Sequence, residues 1–96
     1  MPKSPPEIIG LFEQFISHYG GVGQGWFIGV AESAERTLAE KHGVDMEQGV
    51  WVYARAESPE AARQVLEHFA EVVGLPAFEP EEESEETRSV YVFRKS

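Results

Sequence analysis

Two stretches of this chain repeat one pattern and decide its fold: residues 26–35 read WFIGVAESAE, and residues 51–60 read WVYARAESPE. Trp, Ala, Glu, Ser and Glu recur at an offset of 25 residues. In each copy an apolar and aromatic run precedes a Ser that is followed by a helix former and Glu. This is the pattern of a strand that leads through an N-cap into a helix. The repeat therefore predicts two strand-to-helix units.

Further elements are predicted on both sides of these units. Apolar residues at helical spacing predict an amphipathic helix over residues 7–19, and the glycines of residues 20–25 predict a flexible connector. A β-branched and aromatic run predicts a last strand at residues 89–94. The predicted order is α-β-α-β-α-β. It gives one domain, residues 1–96, of the α/β (α+β) class: a two-layer sandwich with a three-stranded sheet and about three helices.

The charge of the chain is strongly acidic and concentrated in one segment. The formal net charge is −9, and six of the seventeen acids lie in residues 79–86. We expect residues 79–87 to form a solvated, mobile loop, with an acidic tether for a basic partner as the alternative. The chain has no Cys and no apolar run of membrane-spanning length. It is expected to be a cytoplasmic protein without a membrane partner.

One strand-to-helix unit carries a recognisable motif. Phe27-Ile28-Gly29 lies at a strand end and precedes a helix that holds Arg36 and ends near His42. This arrangement resembles the second half of the GIY-YIG nuclease core, over roughly residues 26–69. The resemblance implies a Tyr-Ile/Val-Gly strand, a helix with a catalytic Arg and a nearby His, and a later helix with a metal-binding Glu. The family's Tyr falls on Phe27, which lacks the hydroxyl, and its Gly falls on Gly29.

The remaining family residues are displaced. The catalytic Arg falls on Thr37, beside Arg36, and the metal-binding Glu falls on Leu66, one position before Glu67. Thr cannot replace the charged, bidentate Arg that phosphoryl transfer requires, and Leu66 belongs to the apolar face of its predicted helix. The family's first Gly-Ile-Tyr strand is absent unless residues 19–21 are its remnant or the C-terminal strand around residues 90–92 takes its place in the sheet. The candidates for a vestigial site are Phe27, Gly29, Arg36, Thr37, His42 and Glu67.

Each of these candidates also has a structural explanation. Arg36 is placed to pair with Glu32 or Glu40, His42 suits the C-terminal turn of its helix, and Glu67 falls on a solvated helix face. Aromatic and basic residues provide a second set of candidates, for binding. They are Trp26, Arg36, Trp51, Tyr53 and Arg55.

The sequence leaves three functions open. The first is a non-catalytic α/β module that resembles a GIY-YIG domain and binds a protein or, less favourably given its charge, a nucleic acid. The second is a weak DNA endonuclease that depends on Mg²⁺ or Mn²⁺ and uses Arg36 and Glu67. The third is a ferredoxin-like regulatory or small-ligand domain that dimerises through its sheet. Because Thr37 and Leu66 stand where the resemblance places the catalytic Arg and the metal-binding Glu, enzymatic activity is not the favoured interpretation. No cofactor or metal is expected unless the second function holds.

Overall fold

Helices and strands alternate along the chain up to the third helix, after which two strands follow, and the computed structural model describes residues 2–80 and 83–94. The helices are α1 (Pro5–His18), α2 (Ala34–Arg36, continued by a π-helical turn, Thr37–Lys41) and α3 (Pro59–Glu67, continued by a π-helical segment, His68–Val73). The strands are β1 (Trp26–Ala31), β2 (Val50–Arg55), β3 (Ala77–Phe78) and β4 (Ser89–Arg94). A short 3-10 turn, Val22–Gln24, precedes β1. The mixed α+β class and the three helices are confirmed.

The sheet has four strands in the order β2-β4-β1-β3, so the prediction of three strands was wrong. Strand β4 lies between β1 and β2 and is antiparallel to both, with Ile28 and Val52 on either side of Val92. The additional strand, β3, is parallel to β1, and its approach is fixed by a bond from the Ile28 N–H to the Pro76 carbonyl (3.0 Å). A two-residue strand is too short to show an alternation in the sequence.

The two faces of the sheet are both covered, which corrects the two-layer prediction. Helices α1 and α3 pack on the face that carries Trp26, Ile28 and Val30, which we call the helix-covered face. On the opposite, aromatic face, α2 places Leu38 among Tyr91 and Phe93. Strands β1 and β4 are apolar on both sides, so each of their faces requires a cover.

Local signals in the sequence position the helices. The Ser58 hydroxyl oxygen accepts a hydrogen bond from the Ala61 N–H (3.1 Å), and Pro59 occupies the first helical position of α3. The Ser33 hydroxyl oxygen caps α2 in the same way and accepts a longer hydrogen bond, 3.4 Å, from the Arg36 N–H. Both serines are therefore confirmed as N-caps.

The acidic segment contacts the body of the domain where it is described. Arg63 of α3 forms ion pairs with Glu79 (3.1 Å) and with Glu83. Arg55 of β2 forms an ion pair with Glu86 at 3.0 Å. Residues 81 and 82 of the predicted loop lie outside the described residues.

Candidate functional site

A cleft opens on the aromatic face between α2 and the acidic segment. Its volume is ≈ 740 Å³. Tyr91 and Ala31 lie at its floor, while Arg36 and Thr37 of α2 form one wall and Glu79 and Ser84 belong to the other. An open cleft of this size can hold several side chains of a ligand or partner.

Tyr91, at the floor of the cleft, is hydrogen-bonded to His42, a titratable side chain that is not part of the cleft lining. The His42 Nε2 atom lies 2.8 Å from the Tyr91 hydroxyl oxygen, and the tautomer of His42 determines which of them donates. Burial raises the pKa of Tyr91 to about 12. The pKa of His42 is lowered, first by burial and then by the charge of Lys41. Both side chains are therefore neutral near pH 7, so Tyr91 adds no charge to the floor of the cleft.

Gly29 explains why the Tyr91 ring can lie at this position. Gly29 and Tyr91 are directly opposite in the β1–β4 register. A methyl group on the Gly29 Cα would overlap the ring end, since it would lie 2.8 Å from Cε1 and closer still to Cζ and the hydroxyl oxygen. The missing Cβ therefore makes room for the phenol.

Aromatic packing holds His42 over the sheet at the end of α2. Its ring centroid lies 4.4 Å from that of Phe78 and 4.8 Å from that of Phe93. Phe27 in turn stacks on Phe93 at 5.3 Å. These contacts fix the orientation of the imidazole toward the Tyr91 hydroxyl. They also favour the neutral form of His42, because the surroundings are apolar.

The walls of the cleft carry more negative than positive charge. The charged lining residues are Glu32, Glu40, Glu79, Glu83, Arg36 and Lys41. Arg36 forms a solvent-exposed i,i+4 pair with Glu40 (3.7 Å), as the structural explanation of this residue predicted. Lys41, the other lining cation, is the immediate neighbour of His42. The cleft favours a cationic over an anionic ligand.

The predicted site residues are divided between two regions of the molecule. Phe27, Gly29 and His42 meet around Tyr91, and Arg36 and Thr37 line the cleft above them. Glu67 does not line this cleft, since it lies exposed on α3, the helix that packs on the opposite face.

Leu66, where the family resemblance places a metal ligand, is only 2 % exposed and belongs to the core under α3. The prediction that Leu66 lies on the apolar face of its helix is confirmed.

The predicted binding residues are also separated. Trp26 lies on the helix-covered face at 1 % exposure, and its Nε1–H donates to the Gly21 carbonyl (2.8 Å), so its side chain presents no surface to a partner. Trp51 and Tyr53 stack on the aromatic face with ring centroids 6.1 Å apart. Arg55, on the same strand, is bonded to Glu86.

Tyr91 is the central residue that the site prediction did not include. Its strand is the one that the sequence offers in place of the missing Gly-Ile-Tyr strand, and β4 lies antiparallel to β1. The available signal was the alternation of residues 89–94, which places Tyr91 and Phe93 on one face. What the sequence could not give is the register that sets Tyr91 opposite Gly29.

The comparisons with known proteins assign no family. No protein-family model matches the chain, and searches of curated proteins and of solved structures return no match. Within residues 2–80 and 83–94, no three metal-ligating side chains come together, and no helix there is both long and apolar enough to cross a membrane.

Proposed function

We propose that this protein is a non-catalytic α/β module, similar to a GIY-YIG domain, that binds a protein partner through the cleft between α2 and the acidic segment. The observation that carries the proposal is the burial of Leu66 at 2 % exposure, where the resemblance requires a metal-binding Glu. A buried Leu packs without the desolvation cost of a carboxylate, so this position serves stability instead of metal binding.

The wall of the cleft supports the same interpretation. Thr37 stands where the resemblance requires an Arg, and the neighbouring Arg36 is engaged with Glu40. The endonuclease alternative needs Arg36 and Glu67 at one phosphate. Because Glu67 projects from α3, that alternative requires a rearrangement of the helices.

The charge of the cleft defines the proposed partner. Its lining carboxylates outnumber the lining cations Arg36 and Lys41; Glu79 and Glu83 are paired with Arg63 and Glu40 with Arg36, so the attraction for a cationic ligand falls mainly on Glu32. A phosphate backbone would meet repulsion there, whereas lysine or arginine side chains of a protein segment would be attracted. The ligand class is therefore a basic stretch of polypeptide.

Three probes test this function, two by amide NMR titration and one by a plasmid-nicking assay. We expect an octalysine peptide to shift the amides of Arg36, Thr37 and Glu79, and a short DNA duplex to shift none of them. Glu32→Gln keeps the acceptor that bonds the Ser84 hydroxyl but removes a charge from the cleft. It should weaken octalysine binding by about two- to fivefold.

Glu47→Gln is the matched control, since it removes the same charge from the turn before β2, outside the cleft. If both variants weaken octalysine binding equally, the binding depends on the net charge of the chain and not on the cleft, which contradicts the proposed site. Mg²⁺ or Mn²⁺ is the third probe, added with a supercoiled plasmid. Metal-dependent nicking that disappears in Arg36→Ala would overturn the non-catalytic proposal in favour of the endonuclease.

A further inference from the structure

The two edges of the sheet differ in their protection. The β3 edge is only two residues long, and short edge strands resist pairing with other chains. The β2 edge has six residues, Val50–Arg55, and contains neither Pro nor an acidic residue. Tyr53 is 40 % exposed on this strand. The Lys3 N–H bonds the Arg55 carbonyl at one end of this edge, whereas the part from Trp51 to Tyr53 is suited to pairing with another strand.

Hydrogen bonding identifies which groups of β2 face outward. The Ala56 N–H donates to the Arg88 carbonyl (2.8 Å), in continuation of the β2–β4 ladder, so even-numbered residues are bonded toward β4. Odd-numbered residues therefore direct their N–H and C=O to the open side. Consistent with this, the Arg55 carbonyl accepts from the Lys3 N–H on that side (2.9 Å). Within residues 2–80 and 83–94, Trp51 and Tyr53 have no outward backbone partner.

We infer that the β2 edge pairs antiparallel with the β2 edge of a second copy of this chain, with Val52 on the twofold axis. In this register Trp51 lies opposite Tyr53 of the other copy, and each such pair exchanges both backbone hydrogen bonds. If the second copy were shifted by one residue along β2, its Trp51 and Tyr53 side chains would lie on the helix-covered face of the first copy. If the twofold axis passed through Tyr53 instead, the Trp51 N–H of one copy would face the Arg55 carbonyl of the other. That carbonyl already accepts a hydrogen bond from the Lys3 N–H.

The side chains suit burial in this interface. Trp51 of each copy would lie beside Tyr53 of the other copy. The four rings would form one row across the joined sheets. Their polar atoms already have partners: the Trp51 Nε1–H donates to the Met46 carbonyl (3.2 Å), and the Tyr53 hydroxyl donates to Glu35 (3.1 Å). Covering these rings therefore leaves no new unsatisfied donor.

The charges at the two ends of β2 are of opposite sign. The turn before β2 carries Asp45 and Glu47, and the far end carries Arg55 with Lys3 beside it. An antiparallel arrangement brings the acidic turn of one copy toward these cations of the other. Arg55 also bonds Glu86, so the main new attraction falls on Lys3. The pairing is independent of the proposed cleft, which α2 and residues of the acidic segment form.

Cysteine crosslinking tests the register, because the chain has no Cys of its own. Val52 would lie opposite itself in a non-hydrogen-bonded pair, with a Cα–Cα distance of about 4.5 Å, which a disulfide can span. We expect mild oxidation to convert Val52→Cys almost completely to a disulfide-linked dimer. Val50→Cys is the control on the same strand and face. Its two thiols would be about 13 Å apart along the strand and should remain reduced.

Sedimentation velocity of the unmodified chain provides the second measurement. We expect the mass to rise from the monomer value of 10.7 kDa to twice that value with increasing concentration. A 10.7 kDa species that persists at millimolar concentration would overturn the inference. Equal crosslinking of Val50→Cys and Val52→Cys would overturn it as well, because it would reveal random collision or another register.

Discussion

Replacing Gly29 by Ala tests the packing of the candidate site. The new methyl group would overlap the Tyr91 ring, which is 1 % exposed and enclosed by His42, Phe93 and Leu38. Overpacking a core in this way costs about 1–3 kcal/mol, and displacement of the hydroxyl from His42 costs about 1 kcal/mol more. The reduced backbone freedom of Ala returns about 0.5–1 kcal/mol. We therefore expect a net loss of about 1–3 kcal/mol in the free energy of unfolding, measured by urea denaturation.

A double-mutant cycle isolates the cause of this loss. In a Tyr91→Val background the ring is gone, and Gly29→Ala should become neutral or stabilising by about 0.5 kcal/mol. Gly10→Ala is the matched control, since a Cβ there meets no heavy atom within 4 Å; in helix α1 it should stabilise by about 0.5–1 kcal/mol. If Gly29→Ala costs the same with and without the Tyr91 ring, the geometry described for the floor of the cleft is refuted.

Three further predictions concern helix capping, titration and the core. Ser58→Ala should lower the free energy of unfolding by about 1 kcal/mol, and Ser33→Ala by less, because the Ser33 bond is longer; equal losses in urea denaturation would contradict this. The pKa of His42 is lowered from 6.5, so the unfolded chain binds more protons and stability should fall as the pH drops below 6.5. If a His42→Gln variant loses as much stability below pH 6.5 as the unmodified chain does, groups other than His42 cause the pH dependence. Leu66→Ala should cost about 2–5 kcal/mol. Leu66→Glu should cost more at pH 7 than at pH 5, because its buried carboxylate is unpaired when ionised; a pH-independent loss would indicate that position 66 is hydrated.

The strand-to-helix repeat could be predicted because each of its signals is local. The caps Ser33 and Ser58 and the aromatic strand starts depend only on neighbours in the sequence, and the structure has both units. Strand β3 could not be predicted, because its two residues are held by β1 and not by their own propensity. The side of the sheet on which α2 packs could not be predicted either, because it is decided by contacts between segments that are distant in the sequence.

The repeat also concealed a difference between its two copies. Trp26 and Trp51 occupy equivalent positions in the sequence, and both were predicted to bind. Strand β1 lies inside the sheet and turns Trp26 toward α1, where Phe15 packs against it with ring centroids 5.8 Å apart. Strand β2 lies at the edge and turns Trp51 to the aromatic face. Identical local patterns thus lead to opposite faces, because the facing of a strand is decided by its neighbours in the sheet.

Gly29 could be selected from the sequence, whereas its structural partner could not. The family resemblance selected Gly29 by its position after Phe27, yet the physical reason for a glycine is Tyr91, which lies 62 residues later in the chain. The same long-range register brings His42 to the Tyr91 hydroxyl. A sequence pattern can therefore identify one residue of such a pair, whereas its partner emerges only when the strands are aligned. The proposed function rests on two of these observations: the paired groups are neutral, and Leu66 is buried where the resemblance places a metal ligand.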